Sequence, residues 1–259
     1  MRVTLLGTGT STGVPMLTCT CSVCRSQDPR DRRLRPSAWL EWDQASVLID
    51  TSPDLRQQAL THGIDRLDAV LYTHAHADHI LGLDDIRLFN WRRGGAVPAY
   101  GSAATLDGLT RTFWYVFTDV PEGGAKPAVD RRVVQGAFPL LGREVTPIPV
   151  FHGTQEISGY RIGRFAYLTD VSRIPEASYP LLEGLDVLVL NALRPRPHPT
   201  HLHLAAALDE ARRIGAARTL LTHANHEMPH ATISASLPAG IELASDGLTF
   251  TVDDGGAAP

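Results

Sequence analysis

The chain has 259 residues, a net charge of −4 and 43% hydrophobic residues, a composition that supports a sizeable core. The mildly acidic balance excludes a general polyanion-binding surface and argues against a long nucleic-acid footprint. No apolar run approaches the length of a signal peptide or a membrane span, so the expectation is a soluble, cytoplasmic protein with no membrane partner, folded as a single domain over 1–259. Residues 2–6 read as a short strand, and Gly7-Thr8-Gly9-Thr10-Ser11-Thr12-Gly13 as a glycine-rich turn that lacks the lysine of a P-loop. Three cysteines follow, Cys19, Cys21 and Cys24. An odd, tightly bunched set is a poor disulfide framework and a better set of metal-binding thiolates; buried or redox-active thiols are the alternative.

A polar stretch, Asp28-Pro29-Arg30-Asp31-Arg32-Arg33, precedes paired strands at 37–42 and 46–50. Ser52 reads as the N-cap and Pro53 as the first residue of a helix running to about His62. An apolar strand at 67–73 then leads into His74-Ala75-His76-Ala77-Asp78-His79. Three imidazoles and a carboxylate within six residues are dense enough to serve two adjacent metal ions, and imidazole with carboxylate suits Zn, Mn or Fe. Helices are expected over 84–92 and 103–115, and a flexible surface loop over 119–130. Strands are expected at 131–135, 144–149, 159–163, 165–169 and 186–191. Thr200 caps a helix over about 201–214, with Leu204, Leu208, Ala211 and Ile214 on one face. A strand at 218–222, a short helix after Pro229, strands near 241–252 and a frayed tail at 255–259 complete the chain. Two strand-rich halves with crossing helices imply an α/β fold, an αββα four-layer sandwich.

Further metal-binding residue types follow apolar runs: His152, Asp170 and His223. Each alone reads as a capped or hydrogen-bonded residue. With the first cluster they make about the number of ligands a dinuclear centre needs. In this order and spacing the residues resemble the metallo-β-lactamase superfamily over nearly the whole chain. The resemblance implies that His74, His76 and His152 hold one metal, that Asp78, His79 and His223 hold a second, and that Asp170 bridges them. It implies that Asp50 braces the ligand loop.

Cys19-x-Cys21-x-x-Cys24 supplies three thiolates for one tetrahedral ion, and His226, three residues beyond His223, is a candidate fourth ligand. Together with the glycine-rich start and the Asp-Pro-Arg stretch, these residues resemble the cyclic-phosphate phosphodiesterases of the carbon–phosphorus lyase pathway. That resemblance implies a dinuclear metal-dependent hydrolase with two divalent catalytic metals, Mn or Zn, and one structural Zn. It implies a small-molecule phosphodiester substrate, His201 as the acid that protonates the leaving group, Asp78 as a further catalytic residue, and a homodimer. The alternatives are a tRNA 3′-processing endonuclease of the ribonuclease Z type, a lactonase or thioesterase on the same fold, or a non-enzymatic metal-binding accessory protein. His198 and His203 compete with His201 for the acid role, His203 reading as a helix-surface residue; His62 and His230 read as surface residues. Arg30, Arg32, Arg33 and Arg35 read as a solvated charged loop rather than as phosphate contacts, and Asp84, Asp85 and Arg87 as salt-bridged support of the ligand loop.

Overall fold

In the structure, a computed structural model that describes residues 1–118 and 126–252, the run Val47-Leu48-Ile49 is apolar throughout because it is covered on both faces. Val47 and Ile49 pack between two sheets, while Leu48 faces a helical layer. Period-two alternation thus divides one continuous apolar run between two cores. The first half supplies β1 (Arg2–Gly7), β2 (Ser37–Trp42), β3 (Ala45–Ile49), α1 (Leu55–His62), β4 (Ala69–Leu71), α2 (Ala77–Ile80), α3 (Ile86–Arg93), β5 (Val97–Gly101), α4 (Ala103–Thr112) and β6 (Val129–Val133). The second supplies β7 (Phe138–Leu140), β8 (Arg143–His152), β9 (Gln155–Ile162), β10 (Phe165–Leu168), β11 (Val187–Asn191), α5 (Leu204–Ile214), β12 (Arg218–Thr222), α6 (His230–Ser236), β13 (Ile241–Leu243) and β14 (Thr249–Thr251).

Among the described residues these strands form two seven-stranded sheets, ordered β14-β1-β2-β3-β4-β5-β6 and β13-β12-β11-β10-β9-β8-β7. Val3, Leu5, Leu40 and Leu71 of the first meet Tyr160, Phe165, Tyr167 and Val189 of the second in the central core. Leu55 of α1, Ile86 of α3 and Leu106 of α4 cover the outer face of the first sheet, and Ala207 of α5 and Ile233 of α6 that of the second. This is the expected αββα sandwich. β3, β4 and β5 run parallel in one sheet, and β10, β11, β12 and β13 in the other. Open parallel sheets bind ligands beyond the carboxyl ends of their strands, and there the two sheets are stitched together: Tyr160 Oη donates to the Tyr72 carbonyl at 2.7 Å, and the Ser158 amide to Thr73 O at 3.1 Å.

Several element boundaries differ from expectation. α1 begins at Leu55, not Pro53; Ser52 Oγ instead donates to Gln58 Oε1 and accepts from the Asp54 amide. α5 begins at Leu204, and Thr200 does not cap it. β9 starts at Gln155, four residues early, because it pairs with β8 all the way to His152. β5 and β7 were not expected: Pro98 and Gly101 interrupt the first, and Pro139 the second. The 3₁₀ turn Glu176–Leu182 was likewise not expected. His230 is buried rather than superficial, with Nε2 on the Leu243 carbonyl and Nδ1 near Ser234 Oγ, and His62 is half-buried. Of the loop expected over 119–130, residues 119–125 lie outside the described residues, as does the tail at 255–259.

Candidate metal centre

Each group in the centre follows the end of a strand or starts the segment after it. Asp50 follows β3, the His74–His79 segment follows β4, His152 ends β8, Asp170 lies just after β10, and His223 follows β12. Asp50, Asp170 and His223 adopt left-handed backbone conformations, with φ of 61°, 59° and 59°. Non-glycine residues rarely do so, and such outliers cluster at functional sites. The turn redirects each side chain out of its strand into the space between the sheets.

Two main donor sets result, and a third, overlapping group joins His152, Asp170 and His201. His74, His76 and His152 place one ring nitrogen each within 4.8 Å of one another, and so do the ligand atoms of Asp78, His79, Asp170 and His223. Asp170 joins the two. Its Oδ1 lies 3.3 Å from both His79 Nε2 and His223 Nδ1, and its Oδ2 lies 4.0 Å from His74 Nε2. His74 Nε2, Asp78 Oδ2, His79 Nε2 and His223 Nδ1 are buried without a hydrogen-bond partner. Orphaned buried polar atoms are costly; four converging on one small volume fit divalent cations.

The rings are held from behind. His79 Nδ1 donates to Asp50 Oδ2 at 2.7 Å, and His152 Nδ1 to the Thr200 carbonyl at 2.7 Å. The Thr73 hydroxyl donates to Asp50 Oδ2 at 2.8 Å, so its contact with His74 Nδ1 at 3.1 Å makes that nitrogen the donor. All three imidazoles therefore carry hydrogen on Nδ1 and present Nε2. His223 is reversed: Nε2 contacts Thr10 Oγ1 at 3.3 Å and Nδ1 faces the centre. Such outer partners orient ligands and fix their tautomers. Asp50 also accepts the Thr73 amide at 2.8 Å, which makes it the hub of the ligand loop. Replacing Asp50 with Asn, which tolerates its φ of 61°, should lower affinity for divalent metal at the His/Asp donors about 10–100-fold, measured by competition with a chromogenic chelator; unchanged affinity would remove Asp50 from this role.

Burial drives the His74 imidazole well below its ordinary pKa and His223 down to about 4, so both are neutral and ready to ligate. Burial would also depress His79, but the carboxylates of Asp170, Asp78 and Asp50 carry it well above the ordinary value. Those carboxylates favour positive charge at His79 Nε2, which a proton or a cation can supply, so protons compete with metal there and apparent metal affinity should rise with pH, with proton release on binding. Isothermal titration of metal in buffers of different ionisation enthalpy reads the release directly; none would contradict this charge balance.

His201 stands beside the centre. Its Nε2 is 3.1 Å from Asp170 Oδ2, and its ring stacks on His223 at 5.0 Å. Its side chain is 11% exposed, so the ring borders solvent while touching the shared carboxylate. His203 sits half-buried at the start of α5.

The cysteines form a second site. Cys19, Cys21 and Cys24 place Sγ 3.1, 3.5 and 3.7 Å from His226 Nδ1. Tetrahedral zinc with ordinary Zn–S and Zn–N bonds separates such atoms by about 3.6 Å, so the four donors fit one ion. The backbone amide of Cys24 holds the Cys21 thiol down to about 6. Arg33, expected in a solvated loop, is instead buried. It pairs with Asp31 at 3.1 Å and donates to the carbonyls of Asn225 at 3.0 Å and Met228 at 2.6 Å, which bracket His226. Arg33→Ala would leave the buried Asp31 carboxylate without its counter-charge and the Met228 carbonyl without its donor, and should cost about 3–5 kcal/mol, seen as a lower denaturant midpoint at unchanged slope; a shift below 1 kcal/mol would show that the pair is not structural. Arg30 chelates Asp28 and Arg35 clamps Asp54, so both serve the local chain. Asp84 accepts from Tyr115 Oη and pairs with Arg87, which supports the segment after the ligand loop.

Four candidate residues directly follow a threonine: Thr73-His74, Thr169-Asp170, Thr200-His201 and Thr222-His223. Three of those hydroxyls touch site residues: Thr73 the Asp50 carboxylate and His74, Thr169 the Asp170 Oδ1 at 2.6 Å, and Thr200 the His201 ring. The repeated pairing is visible in the sequence, yet sequence reasoning assigned those hydroxyls no part in the site.

A family model described as a β-lactamase superfamily domain matches residues 45–224. A crystal structure described as a new diphosphatase from the PhnP family is 48% identical, with a TM-score of 0.91, covering 96% of this chain and 97% of that one. The octanoyltransferase of Porphyromonas gingivalis is 41% identical over 261 residues, 99% of this chain but 52% of that protein. The chain thus spans about half the length of that relative, whose name describes the longer protein. The coenzyme PQQ synthesis protein B of Methylobacterium radiotolerans is 33% identical over 229 residues, covering 74% of this chain and 72% of that protein. The chain belongs to the β-lactamase superfamily, within it to the PhnP family, and has the metallo-β-lactamase fold.

Proposed function

We propose that the chain is a phosphodiesterase that opens cyclic or other small phosphodiesters, with two divalent ions, Mn or Zn, at the His/Asp donors and a structural zinc at the cysteine site. The observation that carries this reading is His201, which belongs to neither the His74/His76/His152 set nor the Asp78/His79/Asp170/His223 set but converges with His152 and Asp170 at their edge, its Nε2 3.1 Å from Asp170 Oδ2. Divalent metals bound to such donors supply an activated water and a sink for charge developing on phosphorus. The chain's own groups do the rest. Asp50 and Thr73 fix the ligand rings, and Asp170 keeps the His201 ring at the edge of the centre. His201 Nε2 donates a proton to the departing oxygen. An alkoxide leaving from phosphorus needs that proton; a thiolate leaving from a thioester does not, which separates this reading from a thioesterase.

Hydrolysis of a P–O–P linkage is the second reading, favoured by the 48% identity to a protein described as a diphosphatase. A phosphate leaving group is stable without a proton, so the two readings differ in how much they need His201. Apo protein reloaded with Mn or Zn and assayed against a five-membered cyclic ribose phosphate, bis-p-nitrophenyl phosphate, a diphosphate diester and a lactone tests both. Preferred turnover of the phosphodiesters is expected. Preference for the diphosphate would select the second reading, and turnover of the lactone alone would overturn both.

A further inference from the structure

Eleven residues, 193–203, close into a loop between β11 and α5, pinned where the Leu193 amide meets Leu202 O, the Leu204 amide meets Arg194 O at 2.9 Å, and Arg194 reaches the Pro197 carbonyl at 2.8 Å. Within it, His198 lies between Pro197 and Pro199 and turns its ring towards His201, with centroids 5.0 Å apart. His198 Nδ1 is 3.2 Å from His201 Nδ1, and the Thr200 backbone amide points at the same nitrogen from 3.3 Å. An amide can only donate, so His198 Nδ1 is an acceptor and its hydrogen sits on Nε2. Two bare ring nitrogens at 3.2 Å would repel, so His201 must carry hydrogen on Nδ1. The Thr200 hydroxyl, 3.3 Å from His198 Nδ1 and 3.0 Å from His201 Nδ1, fits this arrangement as donor to the first and acceptor from the second. Tautomers are assigned from such networks, and here the backbone amide leaves one consistent choice.

We propose that His198 is a positioning residue that locks the tautomer of His201, so that Nε2 alone exchanges its proton with the substrate. The inference rests on the reading of His201 as the proton donor and adds the device that aims it. With Nδ1–H shared between His198 Nδ1 and the Thr200 hydroxyl, which His198 orients by accepting its hydrogen, the imidazolium holds its transferable proton on Nε2, the atom facing the centre. After transfer the neutral ring keeps its Nδ1–H bonds and needs no flip; only the Nε2–H donation to Asp170 Oδ2 is given up until Nε2 is reprotonated. Burial, together with the neighbouring His201 and Arg194, lowers the His198 pKa and so favours its neutral, accepting form.

The test compares His198→Leu, which has no acceptor, with His198→Asn, whose Oδ1 can take the place of Nδ1. Both variants and His201→Ala are assayed metal-loaded on a five-membered cyclic ribose phosphate, with an alkoxide leaving group, and on bis-p-nitrophenyl phosphate, whose leaving group needs little protonation. H198L is expected to lower kcat about 10–100-fold on the cyclic phosphate, the usual range for a supporting partner, with KM unchanged. H198N should recover most of the loss, and neither should slow the nitrophenyl ester. Nitrogen-15 spectra of histidine-labelled, zinc-loaded protein give a readout without turnover: the His201 ring should show the Nδ1–H form in wild type and H198N and lose it in H198L. Unchanged kcat and spectrum in H198L while His201→Ala is slow would overturn the inference alone. A KM rise on both substrates would make His198 a substrate contact and overturn it too. If His201→Ala is also silent on the cyclic phosphate, the proton-donor reading falls and the inference falls with it.

Discussion

Asp170→Asn is expected to reduce turnover by at least about 10⁴-fold, beyond the upper end for loss of a single acid–base group. The carboxylate faces both donor sets, Oδ1 towards His79 and His223, and Oδ2 towards His74 and His201. Burial alone would raise its pKa, but His223 and His79 hold it well below the carboxylate range, so it is an anion in the folded protein. Asparagine keeps the shape and tolerates φ of 59°, whereas alanine would add backbone strain to the loss of charge. The amide cannot share two cations, so metal content at the His/Asp donors should fall with activity while zinc at the cysteine site stays. Turnover above a tenth of wild type with full metal content would remove Asp170 from the centre of the account.

His201→Ala should behave differently. Its ring joins neither main donor set and its Nε2 is engaged by Asp170 Oδ2, so metal content should match wild type. Turnover of a cyclic phosphate should fall about 10²–10⁴-fold, the range for losing a general acid. The loss should shrink towards unity with a p-nitrophenolate leaving group, because that group departs without a proton. An equal loss on both substrates would mean that His201 binds substrate rather than protonating the leaving group, and loss of metal would make it a ligand.

The His, Asp and Cys groups that the structure brings together were legible because metal chemistry uses few residue types, and because strands buried on both faces write continuous apolar runs. Val47-Leu48-Ile49 leads to Asp50, and Phe165-Ala166-Tyr167-Leu168 leads through Thr169 to Asp170. β5 and β7 were not legible, since Pro98, Gly101 and Pro139 break the local pattern and only neighbouring strands supply the pairing. The start of α5 misled for a related reason. Thr200 has the chemistry of a cap, but its hydroxyl is committed to His198 and His201, and its carbonyl to His152. Arg33 sits in a run of charges that reads as solvated, and its burial depends on carbonyls nearly 200 residues away. The placement of Asp170 between the two main donor sets depends on backbone dihedrals, and no side-chain spacing reports those.

Anomalous diffraction from crystals of the protein reloaded with Mn and Zn asks most directly whether these side chains hold a pair of ions. Two peaks about 3.5–4 Å apart, either side of the Asp170 carboxylate, with a separate zinc peak among Cys19, Cys21, Cys24 and His226, are expected. A single ion, or none, between His74, His152, Asp170 and His223 after reloading would contradict the two-metal hydrolase described above.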